Sequence, residues 1–333
     1  MPKFTVFKGS ENGEIVERRT QYPDPTENEI LVRITHSGLC GTDEHYKHAN
    51  IVLGHEGAGV VESIGTKVAS LKIENSGDRV GWGYGHGSCR QCKYCLRGEE
   101  LYCDQRKIYG ESNIDQGSFA QAAIWPEDFL YKIPDEISNA DAAPLMCAGS
   151  AVFSPLHKFK ISPTERVGVI GVGGLGHLAI QFAAKMGCQV VVLSGTQSKQ
   201  AEALALGATE FHAFTDSPPA MEPLDHVLVT SAKQPNWEAI FQLMAPGGTI
   251  YALTVDMDEM KFPYLPLVMK ALRIQGSLPA ARGSQREMLN FAARHRIKPI
   301  VMTFPLSQNG IEEAMKTLRE GKMRYRGVLV HDA

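Results

Sequence analysis

The feature that most constrains this chain's fold is the run "RVGVIGVGGLGHLAIQFAAKMG" at residues 166–187. A short β-branched run leads into Gly171-Val172-Gly173-Gly174-Leu175-Gly176, and a helical pattern follows. Alone, G-x-G-x-x-G is a common Gly-rich turn. Between a strand and a helix it becomes a dinucleotide-binding turn. Its glycines permit the tight turn, the close approach of backbone to pyrophosphate, and close helix–strand packing. The phosphates then lie on the helix N-terminus. The alternation continues through "QVVVLSG", "SKQAEALALG", "HVLVT", "NWEAIFQLMAPGG", "TIYALT", "YLPLVMKAL" and "RIQGSL". Short apolar runs separated by amphipathic helices predict an α/β fold, a Rossmann doubly wound parallel sheet.

The first 150 residues read differently. "EILVRITHSG", "GVVESIG", "DRVGWG" and "SFAQAAIW" are strand-like runs between Gly/Asp turns. This predicts a mostly β region. "ISNADAAPLMCAGSAVFSPLH" then shifts to helix, with Ser138 and Asn139 as candidate caps. The C-terminal part adds helical stretches "QREMLNFAARH" and "NGIEEAMKTLREG" and a strand, "RGVLVH". A length of 333 residues accommodates two domains. We expect a dinucleotide-binding domain over 150–283, preceded by a mostly β region over 1–149. A net charge of −3 gives no reason to expect nucleic acid or an anionic membrane as partner. Without a signal-peptide pattern or an apolar run of spanning length, the expected location is cytoplasmic.

An NAD-preferring site places an acid at the end of the second strand, to hold the ribose hydroxyls. Here that position reads "VVLSGTQSK", offering Ser194, Gly195, Thr196, Ser198 and Lys199. Hydroxyls and a lysine can bind the 2′-phosphate that an acid would repel, so NADP(H) is expected over NAD(H). Thr196 and Ser198 can equally cap the helix that follows.

Seven cysteines without a secretory pattern are read as metal ligands rather than disulfides. Cys89, Cys92, Cys95 and Cys103 lie within fifteen residues and can close a tetrahedral Zn²⁺ site with no open position, a structural zinc lobe over about 86–105. No basic recognition helix follows, which argues against a nucleic-acid finger. Cys188, entering an apolar strand, reads as a small buried residue. Cys40 and Cys147 remain. With His55 they form a Cys₂His set of the kind that leaves a fourth zinc position open, which Glu56 could fill or exchange at.

"GLCGTDEH", "GHEGAGVVESIG", "GDRVG", the four-cysteine lobe, "PLMCAG" and "GVGGLGH" occur in the order seen in zinc-dependent medium-chain alcohol dehydrogenases. Through "PLMCAGSAVFSPL", "GGLGHLAIQFAAKMG" and "MRYRGVLV" the chain most resembles the cinnamyl alcohol dehydrogenase-like branch. The resemblance implies a GroES-like catalytic domain built from both ends of the chain, 1–149 with 284–333, and a homodimer joined around "RIQGSL". It implies a catalytic zinc on Cys40, His55 and Cys147 with Glu56 alternating, and Asp43 orienting His55. Thr42 and then His45 would relay the substrate proton, and Ser277 would join the cofactor-binding residues. The implied activity interconverts a primary alcohol and an aldehyde of aromatic or medium size. Reduction of an activated C=C or C=N bond is the alternative within enzymes, and a non-catalytic zinc or dinucleotide-binding protein the alternative outside them. Trp82 and Tyr109 are candidate substrate contacts, although such residues more often pack.

Four departures stand against the family pattern, one of them a short loop from Tyr109 to Gln116 after the zinc lobe. Only fourteen residues separate Cys40 from His55, which shortens the cleft rim and predicts a wider mouth. Ala151 stands where relatives often carry threonine, and Gly41 where many carry a larger residue.

Overall fold

The computed structural model describes residues 3–73, 77–213 and 217–331. The chain divides into two compact units, one of Met1–Cys147 with Ala281–Ala333 and one of Ala148–Ala280.

The second unit carries the parallel sheet that the alternating pattern predicts. From edge to edge its strands are Glu210–Ala213, Gln189–Ser194, Arg166–Ile170, Leu224–Val229, Met244–Ala252 and Arg273–Gly276. All neighbours are parallel. Numbered along the chain this order is 3-2-1-4-5-6, the doubly wound arrangement whose direction of winding reverses beside the first strand. Arg166–Ile170 is buried throughout because helices cover both faces, so it reads as a continuous apolar run. Trp237, Ile240 and Phe241, from the helix Trp237–Leu243, pack with Val191, Val227 and Ile250 of the sheet. Glu210–Ala213, "EFHA", was not singled out by pattern. It is an edge strand of four half-exposed residues and has no apolar run to announce it.

The first unit is built on a seven-stranded sheet. Its path runs Val301–Pro305, Arg326–Val330, Glu29–Leu39, Glu56–Ile64, Arg79–Trp82 and Tyr131–Lys132, with Ala122–Pro126 also pairing Glu29–Leu39. The last strand of the chain, Arg326–Val330, lies antiparallel to Glu29–Leu39, so both chain ends build one sheet. Glu29–Leu39 is the hub, with Gly38 opposite Glu56 and Leu39 opposite Gly327. "SFAQAAIW" forms a shorter strand than expected, Ala122–Pro126. The segment "ISNADAAPLMCAG" forms the helix Asn139–Pro144 and then a widened π turn at Leu145–Gly149. Ser138 is its cap: its side chain accepts from the Asp141 N–H.

The short connection between Cys40 and His55 is not a free flap. After the helix Gly41–Tyr46 it is tied to the first strand of the chain by Gly9 N–H to Ile51 O at 3.1 Å and Leu53 N–H to Phe7 O at 3.0 Å. No helix of the described residues is long and apolar enough to cross a membrane.

Gly176 is fixed by its surroundings. A Cβ there would stand 1.8 Å from Gly171 O and 2.8 Å from Thr230 Oγ1. Thr230 is itself engaged, donating to Ile170 O and Gly171 O. Replacement Gly176→Ala is therefore expected to destabilise the protein by about 3 kcal/mol, the upper end for overpacking, because the clash is with backbone. Urea unfolding of the variant against the native chain measures this.

Candidate metal centres and dinucleotide loop

Strand and helix ends converge on one cluster. Cys40 follows the hub strand and precedes the helix Gly41–Tyr46. His55 stands just before the strand Glu56–Ile64, which Glu56 opens. Cys147 sits in the π turn, a distortion common at functional sites. One donor atom from each of Cys40, His55, Glu56 and Cys147 lies within 4.8 Å of the other three. His55 and Glu56 are buried; Cys40 and Cys147 are half-buried.

The partners of this cluster orient it. Asp43, fully buried, accepts from Cys40 N–H through Oδ2 at 2.9 Å. Its Oδ1 meets His55 Nδ1 at 3.1 Å and Gly54 N–H at 3.2 Å. This bond holds a proton on Nδ1 and turns Nε2 toward Cys147 Sγ, 3.4 Å away, where it can serve as a metal donor. On the other side Arg326 Nη2 donates to Glu56 Oε1. Glu56 Oε2 is buried without a hydrogen-bond partner. Burial pushes the Glu56 carboxyl up to about 7, against the pull of Arg326. Hydrogen bonding from the Cys147 thiol holds Cys40 well below the usual thiol range.

Two thiols, an imidazole lone pair and a carboxylate with an orphaned oxygen make a soft, anionic donor set that fits Zn²⁺. Thr42 Oγ1 lies 3.6 Å from Cys40 Sγ, and His45 is exposed three residues further along the same helix.

The four-cysteine lobe is the second cluster. Cys89, Cys92, Cys95 and Cys103 also bring their sulfurs within 4.8 Å of one another. Cys89–Cys95 and Cys92–Cys95 are 3.8 and 3.6 Å apart, close to the edge of about 3.8 Å that a tetrahedron of Zn–S bonds requires. Backbone N–H groups of Gln91 and Cys92 point at Cys89 Sγ and draw its thiol down to about 6, which favours the thiolate that binds metal. Glu100, an acid beside this lobe, does not face solvent. It is buried and accepts from Arg282 N–H, at the start of the helix Arg282–His295, with the Arg282 side chain alongside.

In the second unit, Gly171, Gly173, Gly174, Leu175 and Gly176 join the first strand to the helix Gly176–Lys185. Gly171 has φ +88°, as its tight turn requires. Ser194 ends the second strand, and Gly195 and Thr196 follow it exposed. Lys199 Nζ donates to Val172 O at 2.7 Å, which sets its ammonium beside the glycine turn. Thr196 does not cap the next helical turn with its side chain; its hydroxyl pairs with Ser198 at 2.9 Å instead. Ser277, half-buried, follows the sixth strand. Gly171, Ser194 and Ser277 thus all lie at carboxyl ends of parallel strands, where this fold class binds ligands.

Some side chains were misjudged or missed from sequence. Trp82 is fully buried in the core, with its ring under Gly57 and 5.2 Å from the Trp125 ring, so it packs. Tyr109 is buried, its oxygen accepting from Gly54 N–H at 3.0 Å. Arg326 has no spacing signal, being 270 residues from Glu56. Ser118 accepts from Glu56 N–H and bonds Ser37, two buried hydroxyls that sequence pattern cannot pair.

The alcohol dehydrogenase GroES-like domain model matches residues 26–135, and the zinc-binding dehydrogenase model matches residues 174–294. The chain is 35% identical to a probable formaldehyde dehydrogenase, AdhA, of Bacillus subtilis, over 94% of this chain and 92% of that protein. It is 33% identical to the NADP-dependent alcohol dehydrogenase C 1 of Mycolicibacterium smegmatis, over 91% and 90%. A solved cinnamyl alcohol dehydrogenase of Sorghum bicolor superposes with a TM-score of 0.91 at 26% identity, covering 99% of this chain and 98% of that one. The chain belongs to the zinc-dependent medium-chain alcohol dehydrogenases, in their cinnamyl alcohol dehydrogenase-like branch. The motif resemblance implied this family, and the GroES-like and Rossmann folds bear it out.

Arg326→Ala leaves the buried Glu56 carboxylate without its partner. It is expected to cost about 3–5 kcal/mol, the usual penalty for half a buried ion pair, and Arg326→Ala with Glu56→Ala is expected to recover most of it. Denaturant midpoints of the two variants supply the check.

Proposed function

We propose that this chain is a zinc-dependent, NADP(H)-linked alcohol dehydrogenase and aldehyde reductase, interconverting a primary alcohol and its aldehyde. The observation that carries the reading is the convergence of Cys40, His55, Glu56 and Cys147 around one point, beside an oriented Asp43–His55 pair. Zinc, when bound there, supplies Lewis-acid polarisation of the substrate oxygen. Cys40, His55 and Cys147 hold it, and Glu56 offers an exchangeable carboxylate. Asp43 keeps the His55 proton on Nδ1 so that Nε2 stays a donor lone pair. The Thr42 hydroxyl beside Cys40 takes the alcohol proton in oxidation and returns it in reduction. His45, exposed on the next turn of the helix, exchanges that proton with solvent. Cys89, Cys92, Cys95 and Cys103 hold a second, structural zinc.

Gly171–Gly176 cradles the pyrophosphate, and Ser194, Gly195, Thr196, Lys199 and Ser277 hold the rest of the dinucleotide. The absence of an acid at the end of the second strand and the place of Lys199 beside the turn support NADP(H), in line with the NADP-dependent relative of Mycolicibacterium smegmatis. The fourteen-residue connection, tied down to the first strand, supports a wide substrate mouth. A homodimer is supported by the edge position of Arg273–Gly276 and by the neighbouring helix Tyr264–Met269, which exposes Tyr264, Leu265 and Met269. Alcohol and aldehyde are the small-molecule partners, and the cytoplasm is the proposed location.

Metal analysis is expected to give two zincs per chain, and Cys147→Ala one, with turnover lost and NADPH binding retained. A single zinc in the native protein would refute the catalytic site. Lys199→Ala is expected to raise the NADPH dissociation constant about 10–100-fold, the worth of one charge-assisted hydrogen bond, and to leave NADH binding little changed. Isothermal titration with both cofactors decides this. A turnover screen of aldehydes, formaldehyde included, together with ketones, enals and imines identifies the acceptor, and turnover of enals at C=C alone would overturn carbonyl reduction.

A further inference from the structure

Tyr109 has no place in the chemistry above, yet it sits at the best-satisfied polar node of the first unit. Its backbone N–H donates to Tyr84 O at 2.9 Å, which fixes it at the end of the strand Lys107–Ile108. Its phenol oxygen accepts from Gly54 N–H at 3.0 Å, and Asp43 Oδ1 accepts from that same N–H at 3.2 Å, so the hydroxyl stands beside the carboxylate. The ring centroid lies 4.7 Å from that of His55, with the planes 30° apart. Tyr46 packs edge-on against Tyr109 at 5.2 Å, and Tyr84 meets His55 edge-on at 6.0 Å. Gly110 leaves room for this box, since a Cβ there would stand 2.0 Å from the Tyr46 ring.

Asp43 is fully buried and can only accept when ionised. Cys40 N–H, His55 Nδ1–H and Gly54 N–H supply three donors, and the Tyr109 hydroxyl, sharing the Gly54 N–H with Asp43 Oδ1, is placed to add a fourth. A carboxylate held at both oxygens does not rotate freely, so the His55 Nδ1–H bond keeps one direction. The Tyr109 ring, laid across the imidazole, blocks the other freedom, rotation of His55 about its own axis.

We infer that Tyr109 is a positioning residue of the catalytic metal centre, fixing Asp43 through its hydroxyl and the His55 plane through its ring, and thereby setting how tightly Cys40, His55 and Cys147 retain zinc. This rests on the catalytic-zinc reading proposed above. Groups that orient a metal-bound histidine are typically worth about 10–100-fold in metal affinity.

The test is zinc release from the whole protein to a chromophoric chelator, in which the two sites give two phases, assigned by Cys147→Ala and Cys89→Ser. Tyr109→Phe, which keeps the ring and removes the hydroxyl, is expected to speed release from the Cys147-dependent site about 10–100-fold. Its four-cysteine phase should be unchanged, which doubles as a control for folding. Tyr109→Leu, which also removes the ring, should release faster still, and its Co²⁺-substituted form should show shifted d–d bands. Tyr46→Phe, whose side chain stands behind Tyr109, should release zinc at the native rate. Two-phase release from the native protein with a Tyr109→Phe rate within twofold of it would overturn the role of Tyr109. Acceleration of both phases together would also overturn it, marking general destabilisation. A native protein that releases one zinc only would sink the catalytic-zinc reading itself, and this inference with it.

Discussion

The first unit is organised by an electrostatic constraint: two fully buried acids face two half-buried thiols. Cys40, Cys147, Glu56 and Asp43 stand together, and Arg326 is the guanidinium that reaches Glu56. Unpaired anions in so dry a place would each cost several kcal/mol. The architecture answers by bringing the two ends of the chain into one sheet. Arg326 reaches Glu56 only because the last strand pairs with the hub strand, whose Gly38 faces Glu56. A side chain at Gly38 would meet Glu56 Oε2 at 1.9 Å. Sheet register, a glycine and an ion pair therefore depend on one another. A divalent cation is the natural completion of the remaining negative charge.

Rigidity is concentrated on the donors and withheld from the rest. Asp43 is fixed by main-chain and side-chain donors, His55 by Asp43 and a ring, and Glu56 by Arg326 and Ser118. Each constraint comes from a different part of the sequence, which is how a site built partly on loops acquires the precision of one built on strands. Thr42 and His45 ride on a helix of six residues, and His45 reaches solvent. The proton exchange proposed for His45 needs that access.

The legible parts of the sequence were those where one local signal carries the structure. The glycine turn lies between an apolar strand and a helix, so its role follows from steric demands within twenty residues. The four cysteines are equally local, and their sulfurs do converge. Cys40, His55 and Cys147 were found by combining residue chemistry with motif order, since spacing alone does not join positions ninety residues apart. Arg326 and Ser118 escaped because a buried arginine or serine looks the same in sequence as a solvated one, and Tyr109 was read only as a candidate substrate contact. Trp82, a candidate substrate contact from sequence, takes the commoner packing role, and the absent Cβ atom of Gly57 makes room for its ring. The strands Glu210–Ala213 and Val301–Pro305 lacked a signal, being short, at sheet edges and only half-buried.

The sequence by itself determined the family, the alternation that forces a parallel sheet, and the donor types that suit zinc. These depend on local sterics and on the chemistry of single side chains, which survive without knowledge of neighbours. Tertiary structure alone decided which acids are buried, which tautomer His55 holds, and which cation answers Glu56. Those depend on desolvation and on contacts across 270 residues of chain, and such contacts exist only once the sheet has closed.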